Sequence, residues 1–549
     1  MTRKIIQRNT ATSGQLPDDI HPVLRRVYAA RAIDSIDELD YSLDTLLPPS
    51  LLGGMDKAVA LLQAAILERQ RILVVGDFDA DGATSCALSL RALRALGAAD
   101  VHYLVPNRFE YGYGLTPEIV AVAAGQEPDL IMTVDNGISS IEGVAAAREQ
   151  GIRVLITDHH LPGEQLPAAD AMVNPNLPGD AFPSKNLAGV GVAFYVMLAL
   201  RAQLRAIGWF ATRGLPEPNL GLYLDLVALG TVADVVPLDR NNRTLVHQGI
   251  RRIQAGRCVP GIQALLEIAG RGLQRVVAAD MGFAVGPRLN AAGRLDDMSV
   301  GIECLLSDDP GAARDMATRL DNMNRDRKHI ESDMQSRALD VIAALELKDD
   351  ELPLGLCLFD PDWHQGVIGI LAARIKERFH RPVIAFARSG EGELKGSARS
   401  VTGLHIRDAL DAVAVRHPGL IDKFGGHAMA AGLSLAEANY PAFAVAFNEE
   451  VARHLSVDDL TGIIYSDGEL TAQELSLDTA QLLRDASPWG QGFPSPLFDG
   501  KFRVVTQRVV GEKHLKMTLQ PADGNNQIDG IAFNTTVLPS GCQQVHMAY

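Results

Sequence analysis

The sequence predicts an α/β protein: a parallel-sheet domain, a second α/β domain joined to it by a long helix, and a small C-terminal β-barrel. Three observations predict this fold class. Short apolar runs alternate with helical stretches between residues 71 and 157, which is typical of a parallel sheet. A polar stretch almost free of Gly and Pro covers residues 307–347, and strand patterns dominate after about residue 460. A chain of 549 residues has room for roughly three or four domains.

The composition is that of an ordinary folded protein. Hydrophobic residues make up 47% and charged residues 21%, which excludes wholesale disorder. The net charge of −16 is a weak argument against nucleic-acid binding, because carboxylates that surround metal ions also count as negative. The five cysteines lie far apart and form no CxxC pair, so neither a disulfide framework nor a zinc-thiolate site is expected.

No targeting segment is recognisable in the sequence. The N-terminus, Met-Thr-Arg-Lys, lacks the apolar core of a secretory signal. The longest uncharged apolar stretch, at 187–200, is too short and too rich in Gly to span a bilayer. We therefore expect a cytoplasmic protein that does not contact a membrane.

Each element of the first domain follows from its local pattern. Apolar runs predict strands at 71–76, 101–105, 130–134 and 153–157. Helical patterns between them predict helices at 83–96, 116–124 and 139–150, the first of which is ended by Gly97. A helical stretch at 21–33 precedes this alternation, and further helices extend to about residue 265. The strand–helix order predicts βαβ units.

The remaining elements follow in order along the chain. The stretch 307–347 predicts one or two long exposed helices that connect two domains. Residues 353–455 combine strands at 355–359 and 382–386 with helices and Gly-rich turns, which indicates a second α/β domain. Strands at 501–510, 515–520 and 527–533, with a hairpin turn at 522–526, predict the barrel. Residues 544–549 resemble the start of a further strand.

Acidic residues follow three of the predicted strands. They are Asp77, Asp79 and Asp81 after the first strand, Asp135 after the third, and Asp158 with His159 and His160 after the fourth. The carboxyl ends of parallel strands meet at one edge of the sheet, where ligands bind at the topological switch point. We therefore expect these side chains to form one site.

Two simpler interpretations of residues 77–81 are weaker. A calcium EF-hand loop also begins with alternating Asp, but it needs an entering helix and a Glu at its twelfth position, which is Leu88 here. A single Asp would be an ordinary helix cap. Three alternating carboxylates repel one another unless cations neutralise them.

The donor set predicts the kind of metal. Carboxylates with some imidazole and no thiolate suit Mn²⁺ or Mg²⁺ better than Zn²⁺ alone. Asp234 adds one carboxylate in an apolar context, although a buried Asp can simply cap a turn. These ligands exceed the needs of one ion. Two ions about 3.5–4 Å apart, bridged by a shared Asp, would use them for phosphodiester hydrolysis.

The motifs, taken in order, resemble a known family. Those at 77–81, 107–108, 134–137, 158–160 and 231–234 resemble the successive motifs of the DHH phosphoesterase superfamily. Those at 286–294, 365–369, 396–400 and 424–432 resemble one branch of it, the bacterial RecJ family of single-strand-specific 5′→3′ DNA exonucleases. The tripeptide Asp-His-His alone is a weak signal, whereas the ordered set is highly specific and covers residues 50–540.

The resemblance implies a domain for each part of the chain. The implied parts are an N-terminal helical segment at 1–50, a DHH domain at 51–265, a phosphate-contacting segment with the connector helix at 266–347, a DHHA1-type domain at 348–457 and an OB-like barrel at 458–549. Members of the family continue with a further strand after the position of Tyr549, which puts the completeness of the barrel in question.

The resemblance also implies functions for individual residues. The metal ligands would be Asp77, Asp79, Asp81, Asp135, His159 and Asp234. His160 would face the scissile phosphate or a second ion, Asp158 would orient the histidines, and His427 would lie on the active-site face of the second domain. The residues implied in binding the 5′-terminal phosphate or the strand are Arg108, Arg288, Asn290, Arg294, Ser397 and Arg399.

Physical chemistry supports these implied contacts. Arg presents a planar fork that matches phosphate oxygens, and Gly-rich turns at 396–397 and 425–426 would let backbone N–H groups approach an anion. The alternative for Arg288 and Arg399 is an ordinary interdomain ion pair. Gly-Gly-His alone is more often a plain turn.

The C-terminal segment is locally basic. Its cations between residues 501 and 516 are Lys501, Arg503, Arg508, Lys513 and Lys516, against the single acid Glu512. Together with Phe498 and Phe502, they would let a barrel bind single-stranded DNA by charge and stacking. The alternative is a solvated strand face.

The function expected from the resemblance is a two-metal exonuclease that releases 5′-mononucleotides from single-stranded DNA in recombination and repair. It would use two Mn²⁺ ions, with Mg²⁺ as a substitute, and would act as a monomer with a single-strand-binding protein and a RecQ-type helicase as partners. One rival is a DHH phosphodiesterase for short oligonucleotides or cyclic dinucleotides, which the additional barrel disfavours. Another is an inactive scaffold similar to the eukaryotic Cdc-type helicase subunit, which the filled ligand positions disfavour.

Overall fold

The computed structural model describes residues 4–9, 16–107, 114–343, 352–538 and 541–549. Arg108, which the resemblance implies in phosphate binding, lies outside the described residues.

A five-stranded parallel sheet forms where the apolar runs predict strands. In chain order, the first elements are β1 (Lys4–Gln7), α1 (Pro22–Ala29), α2 (Met55–Leu67), β2 (Arg71–Gly76), α3 (Ala80–Ala95), β3 (Asp100–Leu104), α4 (Pro117–Ala124), β4 (Leu130–Val134), α5 (Ile141–Glu149), β5 (Arg153–Thr157) and β6 (Ala171–Val173). The sheet order is β3-β2-β4-β5-β6, and every neighbouring pair is parallel. The sequence analysis did not predict β6, because three residues are too few to show a pattern.

Both faces of the inner strands β2, β4 and β5 are buried, which explains why these strands are almost uninterrupted apolar runs. Ile72 and Val74 of β2 pack into the cluster that contains residues of α2 and α3. Leu73 and Val75 point the other way, into the cluster that contains residues of α4 and α5. Residues that point to either face therefore need to be apolar.

Helices follow the sheet and end in a long connector. They are α6 (Gly189–Ala206), α7 (Trp209–Arg213), α8 (Leu224–Ala233), α9 (Arg240–Gln254), α10 (Pro260–Ile268), α11 (Ala278–Asp280), α12 (Gly286–Leu295), α13 (Ser299–Leu306) and α14 (Pro310–Ala343). The sequence predicts one or two long helices here, and the structure has one, α14, with 34 residues. The expectation that it is exposed holds for one side only, because Leu320 packs into the first core and Met334 and Ile342 pack into another core.

The second domain contains a mixed five-stranded sheet. Its elements are β7 (Leu356–Phe359), α15 (Ile368–Phe379), β8 (Val383–Gly390), β9 (Glu393–Arg399), α16 (Ile406–Arg416), β10 (Lys423–Gly426), β11 (Ala430–Ala436) and α17 (Tyr440–His454). The sheet order is β10-β11-β9-β8-β7, with only the pair β7–β8 parallel.

The prediction of Gly-rich turns at 396–397 and 425–426 is wrong, because both pairs lie in strands β9 and β10. Glycine inside a strand often marks a close approach of neighbouring groups. A Cβ on Gly396 would lie 2.5 Å from the ring of Phe386, so packing explains that glycine. His427 occupies the turn between β10 and β11, where its N–H donates to the carbonyl of Ala430 at 2.8 Å.

The C-terminal strands form an antiparallel sheet. The last elements are β12 (Ile463–Ser466), α18 (Leu477–Asp485), β13 (Asp499–Val510), β14 (His514–Pro521), β15 (Ile528–Ala532) and β16 (Gln544–Ala548). The order is β15-β14-β13-β16, so the further strand expected at 544–549 is present.

The two aromatic residues expected to stack on bases do not face solvent. Phe498 and Phe502 are only 4% and 3% exposed, and Phe502 packs against Leu515 and Met517. The expectation of base stacking by these two rings is therefore wrong. The alternation of β13 places Phe502 inward and its basic neighbours outward.

The N-terminal segment packs on the C-terminal part of the chain. β1 pairs in parallel with β12, and Val23 and Val27 of α1 pack with Leu470 and Phe498. Asp467, whose side chain is fully buried, receives two hydrogen bonds from the Arg31 guanidinium, at 2.9 and 3.0 Å.

No single helix in the described ranges has both the length and the apolar composition to cross a membrane. The pair Leu43–Leu51 and Met55–Leu67, bent by 87°, meets those two criteria when taken together.

Replacing Arg31 should destabilise the joint between the two ends of the chain. We expect Arg31→Met to lower the free energy of unfolding by about 3–5 kcal/mol, because it leaves a buried carboxylate without this partner. Denaturant unfolding followed by circular dichroism measures the change. The matched control is Arg25→Met, which removes a pair to the exposed Asp18 and should cost less than about 1 kcal/mol. Equal effects of the two substitutions would contradict the assignment.

Candidate metal centre

The sheet order places the first two acidic strand ends at the switch point. From β2 the chain moves to β3 on one side, then returns to β4 on the other side of β2. Asp77 follows β2 and Asp135 follows β4. The connections on either side diverge there and leave a crevice, which is where open α/β sheets bind their ligands.

Seven side chains at this crevice lie close enough together to hold metal ions. They form three overlapping groups, in each of which one ligand atom per residue lies within 4.8 Å of the others. The groups are Asp77 with Asp79 and Asp135, Asp81 with His159 and Asp234, and Asp135 with His159 and His160. The structure thus brings together all six residues implied as metal ligands, with His160 beside them.

Hydrogen bonds to the backbone fix all of the first three carboxylates. The Oδ1 of Asp77 accepts from the N–H of Phe78 at 2.7 Å. Asp79 caps α3, because its Oδ1 accepts from the N–H groups of Asp81 and Gly82 at 2.9 and 3.0 Å. Asp81 accepts from the N–H groups of Gly189 and Val190 at 2.6 and 2.9 Å, so it also fixes the start of α6. Helix capping, weighed as an alternative to ligation, is therefore a real contribution of Asp79 and leaves one of its oxygens for a cation.

The backbone is strained at two points of the site. Asp135 has a φ of +61°, and Val235, next to Asp234, has a φ of +64°, which is unusual for a β-branched residue. Such conformations cost of the order of 1–3 kcal/mol each and persist where the surroundings impose them. Gly189 allows the close approach of α6, since a Cβ there would lie 2.7 Å from an oxygen of Asp135.

Asp158 is buried and contacts the ring of His160. Its Oδ2 accepts from the N–H of Ile138 at 2.9 Å, and its Oδ1 contacts the Nδ1 of His160 at 2.7 Å. Burial alone would raise the pKa of Asp158, but the hydrogen bond with His160 holds that pKa below its usual value. Burial alone would lower the pKa of His160, and Asp158 instead raises it to about 9. Asp158 belongs to none of the three groups, which agrees with an orienting function.

The surroundings of His159 disfavour its protonated form. Its Nε2 lies 3.1 Å from Oδ1 of Asp135 and 3.5 Å from Oδ2 of Asp234. Burial, followed by the charge of His160, lowers the pKa of His159 to about 4. Burial and mutual repulsion raise the pKa of Asp135 well above its usual value and that of Asp234 to about 7.

This cluster fits a divalent cation. The Nε2 atom of His159 is buried and has no hydrogen-bond partner within the described part of the chain. A bound cation would use that nitrogen and would remove the repulsion among the carboxylates.

A cavity of about 580 Å³ separates the cluster from the second domain. Phe78 and Asp79 line one wall, and Ser397 and Arg399 of β9 line the opposite wall. The guanidinium of Arg399 donates to Ser397 Oγ at 3.2 Å and to the carbonyl of Ala398 at 2.8 Å. Burial lowers its pKa, and no carboxylate pairs with it among the described residues. The interdomain ion pair considered for Arg399 is thus not seen there.

The three residues of α12 implied in substrate binding have protein partners. Arg288 pairs with Asp321 of α14 at 2.8 Å and is not among the residues that line the cavity. Both helices pack on the first core, so this pair is not the interdomain ion pair considered as the alternative, and phosphate binding by Arg288 stays a prediction. Asn290 and Arg294 do line the cavity. The Oδ1 of Asn290 accepts from the N–H of Ala80 at 2.7 Å, which holds the loop of the first three carboxylates.

His427 and the basic strands lie on the second and third parts of the molecule. Burial lowers the pKa of His427, and the charge of His160 lowers it further, so the two histidines interact electrostatically. Lys501, Arg503, Arg508 and Lys513 are exposed on the C-terminal sheet. Lys516 differs, because Asp529 pairs with it at 2.8 Å.

The sequence analysis missed two cations of the cavity, Lys395 and Lys423. Lys395 is two residues before Ser397 on β9, and Lys423 begins β10. The alternation of β9 places Lys395 on the same face as Ser397. Gly396 and Ser397 suggest a turn, which hides this alternation in the sequence.

Three parts of the chain match described families. Residues 71–231 match the DHH family, N-terminal domain; residues 352–453 match the DHHA1 domain; and residues 466–549 match the RecJ OB domain. The single-stranded-DNA-specific exonuclease RecJ of Dickeya dadantii is 58% identical over 547 residues, which cover 99% of this chain and 95% of that protein.

Solved structures of RecJ from Thermus thermophilus share the fold. The complex with Mn²⁺ has a TM-score of 0.82 at 32% identity and covers 99% of this chain and 76% of that one. The complex with Mg²⁺ has a TM-score of 0.76 at 30% identity and covers 99% and 74%.

Metal binding should depend on pH through Asp234. We expect the apparent affinity for Mn²⁺ to rise as the pH approaches about 7, roughly tenfold per pH unit for each proton that the ion displaces. Isothermal titration calorimetry across this range measures the dependence, which Asp234→Asn should weaken. Asp225→Asn is the matched control, because Asp225 is a buried carboxyl of α8, the helix that ends next to Asp234, but belongs to none of the groups. An affinity independent of pH would contradict the site.

Proposed function

The chain belongs to the RecJ family and is a metal-dependent exonuclease specific for single-stranded DNA, and we propose that it degrades a strand from the 5′ end to 5′-mononucleotides. One observation supports this proposal above the others. Asp79, a member of the cluster of metal-ligating side chains, and Arg399, which has no carboxylate partner among the described residues, line one cavity.

The polarity follows from the arrangement of that cavity. A terminal phosphate held by Ser397 and Arg399 would neutralise the buried guanidinium, with the start of α15 close beside it. A Cβ on Gly369 would lie 3.0 Å from both Ser397 Oγ and an Nη of Arg399, so this glycine leaves room for the contact. With the end of the strand held there, the carboxylates of the opposite wall can reach only a phosphodiester near the 5′ end.

We propose that Asp77, Asp79, Asp81, Asp135, His159 and Asp234 hold two Mn²⁺ ions, with Mg²⁺ as a substitute. When bound, such ions supply Lewis acidity, which activates water and neutralises charge on the phosphate. The protein's own contribution is position. Asp158 fixes the ring of His160, one nitrogen of which lies within 4.8 Å of the ligand atoms of Asp135 and His159.

The C-terminal sheet would guide the strand by charge. Lys501, Arg503, Arg508 and Lys513 are exposed and extend along β13 and the turn after it. Phe533, 69% exposed at the end of β15, is an aromatic ring of this sheet that can stack on a base.

The setting of the activity is proposed from the family. We propose DNA recombination and repair in the cytoplasm, as a monomer, with a single-strand-binding protein and a RecQ-type helicase as partners. The rival activity on short oligonucleotides or cyclic dinucleotides has no use for the additional C-terminal sheet.

Loss of a carboxylate at the metal centre should abolish hydrolysis. The unaltered protein should show the direction of cleavage. We expect the protein with Mn²⁺ to release a 5′ label early from single-stranded DNA as a mononucleotide, and to leave blunt duplex nearly intact. Asp135→Ala and Asp79→Ala should lower turnover by more than about a hundredfold, because each removes a metal ligand, while strand affinity stays within about tenfold.

The control for these two variants is Asp326→Ala, an exposed position on α14. A time course on one oligonucleotide labelled at either end measures the direction. Early release of the 3′ label, or cuts inside the strand, would refute the proposal.

Arg399 should account for a preference for 5′-phosphorylated ends. Removing the 5′-phosphate should slow cleavage, and Arg399→Ala should remove most of that difference, since an arginine–phosphate contact contributes about 1.5–3 kcal/mol. The coupling is measured from kcat/KM of two enzymes on two substrates. Arg388→Ala on the adjacent strand, where Glu437 pairs with the arginine, is the matched control and should preserve the difference. A coupling near zero for Arg399 would rule out the pocket.

A further inference from the structure

We propose that the cavity contains a second anion subsite, formed by Lys395 and Lys423, which binds a phosphate group lying beyond the terminal phosphate. The inference rests on the proposed function, which assigns the terminal phosphate to Ser397 and Arg399.

The strand register places the two lysines in one row. Lys395 of β9 is opposite Ser434 of β11, which is opposite Lys423 of β10. Ser397 lies on the same face of β9, two residues further along, which is about 6.6 Å away. The lysine row and the pocket of Ser397 and Arg399 are therefore consecutive positions on one surface.

This surface is open only over part of the sheet. Val383 and Ala385 of β8, on the same face, are buried in the cluster that contains Leu371 and Ile375 of α15. The part of this face that α15 covers is at β8, whereas the corresponding positions of β9, β10 and β11 line the cavity. The opposite face is buried against the core of the second domain.

Two glycines make the floor of the cavity flat. Gly425 and Gly432 are neighbours across β10 and β11, in the row of Ser397. A Cβ on Gly425 would meet no described atom within 4 Å, and one on Gly432 would meet a single carbonyl oxygen at 4.0 Å. Packing within the described part of the protein therefore does not require glycine at either position, whereas a ligand lying on the sheet would.

The charge of the cavity suits a phosphate. Its lining contains Arg294, Lys395, Arg399 and Lys423 against the single carboxylate of Asp79, in a chain whose net charge is −16. Within the described ranges, neither lysine forms an ion pair or a side-chain hydrogen bond. Two unpaired ammonium groups on flexible stems that converge on one cavity would bind a mobile phosphoryl group.

A strand with a 5′-triphosphate would present such a phosphate, because its outer phosphates extend beyond the terminal pocket. The cavity of about 580 Å³ has room for them.

The test compares three ends of one 3′-labelled oligonucleotide: 5′-hydroxyl, 5′-monophosphate and 5′-triphosphate. Fluorescence anisotropy in chelator measures their affinity for the full chain without cleavage, and product analysis with Mn²⁺ identifies mononucleotides or dinucleotides. The variants are Lys395→Gln with Lys423→Gln, and the matched control is Lys57→Gln, an exposed lysine of α2.

We expect the triphosphate to bind about tenfold more tightly than the monophosphate, because two further charged contacts form. The double variant should bring the two affinities within about twofold, and Lys57→Gln should leave the difference intact. Release of dinucleotides would mean that the terminal phosphate lies beyond Ser397 and Arg399, and would overturn the inference together with the proposed pocket.

Equal affinities for the two phosphorylated ends would overturn the inference. A preference for monophosphate over hydroxyl reports the terminal pocket separately. If that preference is present, failure of the lysine subsite leaves the proposed function intact; if it is absent, the proposed pocket itself has failed.

Discussion

Repulsion among carboxylates in one crevice is the constraint on which the arrangement of the first domain depends. Asp77, Asp81 and Asp135 are buried there, with Asp79 and Asp234 beside them. Burial and mutual repulsion raise the pKa values of Asp81 and Asp135, so without a cation the cluster holds protons at a pH where carboxyl groups normally ionise. The folded state therefore loses stability as the pH rises from the ordinary carboxyl range to these raised pKa values. Divalent cations remove that cost, which links the stability of this region to its chemistry.

The surrounding backbone is shaped to keep these charges together. α6 begins against Asp81 and α8 ends next to Asp234, so two helices outside the sheet complete a site that the strand ends begin. A Cβ on Gly230 would lie 2.8 Å from an oxygen of Asp81, so this glycine allows α8 to approach as closely as α6 does. The positive φ of Asp135 is maintained by this packing, and strain of this kind concentrates at functional sites.

The sequence was most informative where one physical requirement dominates. β2, β4 and β5 have the bounds predicted for them, because burial on both faces demands an apolar residue at every position. β9 was missed, because Gly396 and Ser397 suggest a turn when the ring of Phe386 above the glycine is not known. The ligands could be collected from strand ends, but the pairing of Arg288 with Asp321 joins residues on separate helices and has no local signal. Likewise, alternation predicts that Phe502 and Arg503 point to opposite sides of β13 without saying which side is the core.

The connector helix α14 gives the cleft a fixed width. Leu320 is part of the core beneath the parallel sheet, and Met334, Ala338 and Ile342 are part of the core beside α15. A helix of 34 residues is about 50 Å long and has no internal proline after its first turn, so it acts as a rigid strut rather than a hinge. Widening the gap would require unpacking one of two apolar cores. The two walls of the cavity are therefore linked by one continuous helix that is packed at both ends, so their spacing is set by packing rather than by a flexible linker.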